Sequence, residues 1–447
     1  MESPVREGRL ELPRPLGHRI LSPARLPVPP LSRDARSLAS SHVGARVGCY
    51  DAAPMAPPGI ARASHLLLVA PLIVASACVF GSKSSASTSP QQSSPGGCLL
   101  QIDTAVSGIH GDQFVAVAGS GPDDYWAVGT RFEARSEASM PGPLAQHWNG
   151  SKWETVMAGG DRFPSLQLTD IAALSADDVW AVGFSDSGAS SIHWDGAAWA
   201  ELSGARGYSG ALFTGLAALS PTDLWAVGKG TGAGGYDVPL VERSDGSSWT
   251  AVPVPAPDGI AAGLRDVSAS GPRSVWAVGW SVDKGDKGKV FRPLVERWDG
   301  RRWTIVTVPY PDPDALLSGV AVVSADDVWV VGWSWQGDAT TGLMLHWNGR
   351  SWSPVSLPSA SGQAARLATV TSAGDMLGVA GQAPDENGIL QPVAFSLSGS
   401  TWTDHAIPVE PGGGGFQGLL VLDNQRMVAV GSQINSDGYG SLVQEGC

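Results

Sequence analysis

Basic side chains, cysteines and long apolar runs are all scarce in this chain. Of its 447 residues 29 are Lys or Arg against 42 Asp or Glu, a formal net charge of −13. That balance excludes a nucleic-acid partner, because phosphate contacts need clustered Lys and Arg. From residue 79 onward the imbalance widens to 20 basic against 37 acidic side chains. No Gly-rich phosphate loop with its lysine is present. The longest apolar stretch, LLLVAPLIVASA (66–77), is too short to cross a bilayer as a stable helix.

That apolar stretch has another reading. It follows Met55 and the positively charged Arg62 and ends at Cys78, the order of a secretory signal. Met55 is therefore read as the start of the protein. Residues 1–54, rich in Pro and Arg and without periodicity, are read as a gene-model extension or a disordered tail. Val74-Ala75-Ser76-Ala77-Cys78 resembles a bacterial lipoprotein signal, in which the cysteine becomes the lipidated first residue, although Ala75-Ser76-Ala77 would also serve an ordinary signal peptidase. A Ser-rich tether follows (81–97). The expected division is a signal peptide at 55–77, Cys78 with its tether at 78–97, and one domain at 98–447. The expected location is the bacterial cell envelope, with the membrane touched only through a lipid anchor, or secretion if Cys78 is not lipidated.

What the chain has in abundance is tryptophan (18), glycine (57) and two recurring phrases. One is D-D-V-W-A-V-G, at 123–129, 177–183, 222–228, 273–279 and 326–332, weaker at 374–381 and 425–431. The other is H-W-[DN]-G-x-x-W, at 147–153, 193–199, 243–249, 297–303, 346–352 and 396–402. A short β-type run precedes each first phrase, so each unit reads as four strands. A tight Ser/Asp/Pro turn such as Ser175-Ala176-Asp177-Asp178 joins the first two, and an Asp-Gly or Asn-Gly hairpin joins the last two. A repeat of about fifty residues built this way is a propeller blade. The strand-two tryptophans Trp126, Trp180, Trp225, Trp276 and Trp329 are expected to fill the slots between blades, against small Ala and Gly faces.

Six units are complete and the seventh stops after three strands. The fold class is therefore all-β, a seven-bladed propeller of four-stranded antiparallel blades. The missing strand is expected from CLLQIDTAV (98–106), which would close the ring and remove an exposed edge. Cys98 and Cys447 then fall at the two ends of that seam, and in an oxidising compartment a disulfide between them would staple it.

The D-G-x-x-W turn resembles the Asp-box (BNR) turn of sialidase-type propellers, and the unit is similar to photosystem II assembly-factor propellers. The resemblance implies architecture more than activity, since such turns recur on folds of many functions. The Asp stands directly before Gly here, with Trp where Ser is usual. A sialidase-like enzyme would need three arginines converging on a carboxylate. The equivalent slots on strand one hold Thr169, Thr214, Arg265, Ser318, Ala368 and Gln417. Galactose-oxidase chemistry would need a Cys–Tyr cross-link that Cys98 and Cys447 do not supply. His147, His193 and His346 occupy one repeat slot, spread around the ring, and so do not converge on a metal. No cofactor, metal or catalytic residue is expected.

The expected function is a non-catalytic binding or assembly module for a protein or glycan. The alternatives are a carbohydrate-active, sialidase-like enzyme and a structural surface or matrix protein. Loops between strands two and three, and crossings between blades, vary most, and both open on one face. Trp280, Trp333 and Trp335 are the tryptophans outside the repeat slots, placed where strand two of blades four and five reaches that face. Tyr310, Asp312 and Asp314 lie in the crossing between the same blades, and the six together form the expected ligand site.

Overall fold

The structure, a computed structural model, describes residues 99–101, 111–131, 141–158, 162–163, 165–204, 209–285, 288–310, 314–407, 411–422, 426–435 and 438–446. The expectations for residues 1–97, with the signal peptide, Cys78 and tether, and those for Cys98, Asp312 and Cys447, lie outside the described residues. Seven sheets, each of four antiparallel strands, account for nearly all regular structure. Among the described residues one short helix, Ala360–Gln363, interrupts them.

Blade two shows the plan. Gln167–Ser175, Asp178–Ser185, Gly188–Trp194 and Trp199–Ser203 pair in chain order. The first strands of successive blades pack side by side in a closed ring, the last (Gly414–Val421) against the first (Gln113–Gly121), and so form the inner wall. Blade seven has its own Gly414–Val421, Met427–Asn435 and Gly438–Gly446. It is completed by Leu99–Gln101, which runs antiparallel to Gly438–Gly446 with Leu99 opposite Gly446 and Gln101 opposite Gln444. The borrowed strand is the expected one. Side chains lock the same seam: Tyr125 Oη of blade one donates to Glu445 Oε2 at 3.2 Å. Arg426 pairs with Glu445 and donates to the carbonyl of Pro122 at 2.9 Å.

Strand one of every blade carries a β-bulge that alternation alone did not reveal. The ladder skips Val115, Thr169, Thr214, Arg265, Ser318, Ala368 and Gln417 in turn. Opposite each bulge stands the glycine that closes the W-A-V-G phrase. At Gly129 a Cβ would run into the carbonyl oxygen of Gln113, and at Gly183 into that of Gln167, so the close approach at the bulge requires glycine. The bulged hydroxyls then tie neighbouring blades together. Thr169 Oγ1 donates to Val182 O of its own blade (3.1 Å) or Phe213 O of the next (3.0 Å). Thr214 and Ser318 reach the corresponding carbonyls.

The tryptophan slots are filled as expected. Trp126, Trp180, Trp225 and Trp276 are fully buried, and Trp329 is half-buried. Small residues of the next blade share their clusters: Ala181 with Trp126, Ala226 with Trp180 and Ala277 with Trp225. Three of the rings also meet tryptophans of the next blade: Trp126 meets Trp199 edge-on at 5.5 Å, Trp225 meets Trp303 at 5.6 Å, and Trp276 meets Trp352 at 5.7 Å. Aromatic edges set against faces fill the seam because both shapes and both quadrupoles fit.

The Asp-Gly hairpins also differ in detail. Glycine takes the positive φ (Gly196, 88°), while the preceding Asp or Asn stays in the ordinary region and caps a four-residue loop with its side chain. Asp195 Oδ1 accepts the N–H groups of Ala197 (3.0 Å) and Ala198 (2.9 Å). Asn149, Asp245, Asp299 and Asn348 repeat the arrangement.

Candidate binding face

The long hairpin of blade four builds most of the site. Its second and third strands, Ser274–Gly285 and Gly288–Trp298, are 12 and 11 residues long. They carry the chain past the repeat phrases and lift Trp280 and Phe291 onto the variable face. Trp280 lies 5.9 Å from Phe291, and Phe291 lies 5.5 Å from Trp335 of blade five, each pair tilted. The three half-buried rings form one row across the seam of blades four and five. Trp333 sits apart from that row, under the guanidinium of Arg265 at 5.6 Å.

Charged groups flank the rings. Lys229 Nζ is 5.9 Å from the Trp280 ring and pairs with Asp237 at 2.7 Å. Arg292 pairs with Asp283 and donates to Tyr310 Oη at 2.7 Å. Asp314 Oδ1 accepts the backbone N–H of Phe291 at 2.9 Å, which fixes the middle ring of the row. Burial pulls the Arg265 guanidinium below its ordinary value. Tyr236, 58% exposed in the strand two to three loop of blade three, extends the apolar surface of the same face.

Trp280, Trp333, Trp335, Tyr310 and Asp314 therefore gather in one sector. Tyr310 and Asp314 spend polar atoms on Arg292 and Phe291, so within the row they hold other groups in place. Sequence reading missed Phe291, Lys229, Arg292 and Tyr236. Phe291 had a signal, an aromatic outside any repeat slot in a hairpin longer than its counterparts.

The repeat slot that holds His147, His193 and His346 has a packing role. Each imidazole lies flat on the strand-two tryptophan of its blade, at 4.2, 4.1 and 4.0 Å, and each Nε2 contacts an aspartate: Asp124 (2.6 Å), Asp178 (2.9 Å) and Asp327 (2.9 Å). Arg243 and Arg297 take the same place over Trp225 and Trp276. The second Asp of each D-D pair reaches strand three, and in blade one Asp124 also accepts from Ser120 across the turn. In blades three and five the turn is held by Ser220 and Ser324, whose Oγ atoms accept backbone N–H groups at 3.3 Å. Arg265 is the single arginine among the seven bulge positions.

These features define a seven-bladed β-propeller with an aromatic, charge-flanked sector on its variable face. No protein-family model matches the chain, and no curated protein is similar to it in sequence. Among solved structures it is similar to the WD40 repeats of RRP9, at 10% identity over 78% of this chain and 98% of that one, TM-score 0.52. It is also similar to YCF48 bound to a D1 peptide, at 12% identity over 79% and 98%, TM-score 0.49. A third similar structure is a Trypanosoma rangeli sialidase, at 9% identity over 78% of this chain and 57% of that one, TM-score 0.41. At such identity the likeness speaks for the fold alone.

Proposed function

We propose that this protein is an exported, membrane-tethered binding module that holds a protein partner on the blade four to five sector and performs no chemistry on it. The observation that carries the reading is the row Trp280, Phe291 and Trp335, beside Trp333 under Arg265. These four stand outside the repeat slots, half-buried on the long strands that reach the variable face. Half-exposed aromatics flanked by paired charges suit an apolar anchor with a polar rim. Export and tethering rest on Arg62, the apolar run and Cys78. A sialidase-like role is disfavoured because the bulge ring offers one arginine where three would have to converge.

A photoreactive amino acid placed at Tyr236 tests the reading in intact cells. One discrete protein adduct is expected, lost in the Trp280→Ala/Trp335→Ala variant while the melting temperature stays near that of the parent. An adduct that survives the double substitution, or a glycan adduct in its place, overturns the assignment. Detergent partitioning tests the tether: Cys78→Ala should move the protein to the aqueous phase.

A further inference from the structure

The bulge position is a hydroxyl in blades two, three and five, where it links two blades through carbonyl oxygens. In blade four it is Arg265, which crosses the same seam and lies on Trp333. Four arginines of the propeller pair with carboxylates: Arg243 with Asp223 at 2.8 Å, Arg131 with Asp112 at 3.6 Å, Arg292 with Asp283 and Arg426 with Glu445; Arg297, over Trp276, does not pair with one among the described residues. Among the described residues Arg265 has no such carboxylate. Asp266, next in the chain, turns both oxygens elsewhere, to the N–H groups of Val267 (2.7 Å) and Val320 (2.8 Å). Asp170, the equivalent residue of blade two, does the same with Ile171 (2.8 Å) and Leu216 (2.6 Å).

A half-buried cation without a counter-ion is costly, and stacking on an indole offsets only part of that cost. An anion arriving from outside would supply the remainder, and a planar guanidinium is shaped to grip carboxylate or phosphate oxygens in pairs. We propose that Arg265, laid on Trp333, is the receptor for one anionic group, a carboxylate or a phosphate, carried by the bound partner. This rests on the reading of the face as a binding surface and adds the charge of what it binds.

The full chain labelled with ¹⁵N-arginine can be titrated with sodium acetate, with inorganic phosphate and, as an ionic-strength control, with sodium chloride. The Arg265 Nε–H resonance, identified by its loss in Arg265→Lys, should move saturably in the millimolar range or below with acetate or phosphate, beyond the chloride control. A response to acetate assigns a carboxylate, and one to phosphate a phosphate group. Trp280→Ala should leave the titration unchanged, because that ring does not touch Arg265. A shift no larger than with chloride overturns the anion site even where the Tyr236 adduct and its loss in the double variant stand.

Discussion

His193 lies flat on Trp180, their ring centres 4.1 Å apart and their planes 19° from parallel, and Asp178 contacts both: the indole Nε1 donates to its Oδ1, and His193 Nε2 meets the same oxygen, each at 2.9 Å. Asp178→Ala would leave the indole N–H without its acceptor and release the imidazole. Loss of a buried acceptor costs about 1–3 kcal/mol, so the variant should unfold at lower denaturant with an unchanged slope. His193→Ala should cost less, since it removes a stacked ring and leaves Asp178 on the indole. Chelation with EDTA should alter neither protein. A fall in wild-type melting temperature on chelation would show the histidines doing something other than packing.

Glu296 gives the propeller a pH dependence. On strand three of blade four it is fully buried with both carboxylate oxygens unpartnered, and desolvation pushes its carboxyl from 4.5 up to about 8. The raised value means that the native state keeps a proton the unfolded chain releases near pH 4.5. Its contribution is present in full below that pH and is lost as the pH rises through 8. Wild-type stability should therefore decline between roughly pH 5 and pH 8.5. In Glu296→Gln that slope should flatten, and Glu296→Met, which buries no polar group, should melt higher at pH 8. Parallel pH profiles for parent and variants would contradict the assignment.

The seam between blades one and seven should behave as the weak point of the ring. Leu99 faces Gly446 in an antiparallel ladder, and Cys98 and Cys447 are their immediate neighbours in sequence. A disulfide between them would restrain the unfolded chain by about 5 kcal/mol in the chain-entropy model. Thiol labelling of the oxidised, denatured protein should find neither cysteine reactive, and reduction should lower the melting temperature sharply. Deleting residues 98–106 should expose the edge of Gly438–Gly446 and bring aggregation. Two reactive thiols would remove the staple, and a monomeric, equally stable deletion would remove the role of the borrowed strand.

Ring closure was readable because a three-strand final repeat has one way to complete a sheet and a β-type run stood unused at residues 98–106. The Trp slots were readable for a similar reason: a large ring at a fixed place in every repeat has to be buried. Partners were harder. That Trp126 meets Trp199 depends on blade rotation, which no single repeat encodes. The bulge is carried by one residue whose type varies from Val115 to Gln417, so its only steady trace is the glycine across from it, Gly129 or Gly183, read at first as a small packing face. At the site, Trp280 and Trp335 stood out by breaking the repeat. Phe291 and Arg265 also departed from their repeats, but their partners, Trp335 and Trp333, lie in the next blade and are distant in sequence.

Those neighbours separate the roles of the three unusual tryptophans. Trp276 is sealed between blades, and Trp276→Ala should cost roughly 3–5 kcal/mol. Trp280 and Trp335 are half-buried and meet chiefly Phe291, so truncating either should cost on the order of 1 kcal/mol, within the scale of a single aromatic pair. Trp333 carries the half-buried guanidinium of Arg265, and Trp333→Ala strips that charge of the one group the described structure gives it. It should therefore destabilise more than the other two, by about 2 kcal/mol when a desolvated cation–π contact is lost, and Arg265→Met in the same chain should recover part of the loss. Thermal melts of the four single variants and the Trp333→Ala/Arg265→Met pair check the order. If Trp280→Ala or Trp335→Ala proves as damaging as Trp276→Ala, the row is packing, and the partner site has to be sought away from blades four and five.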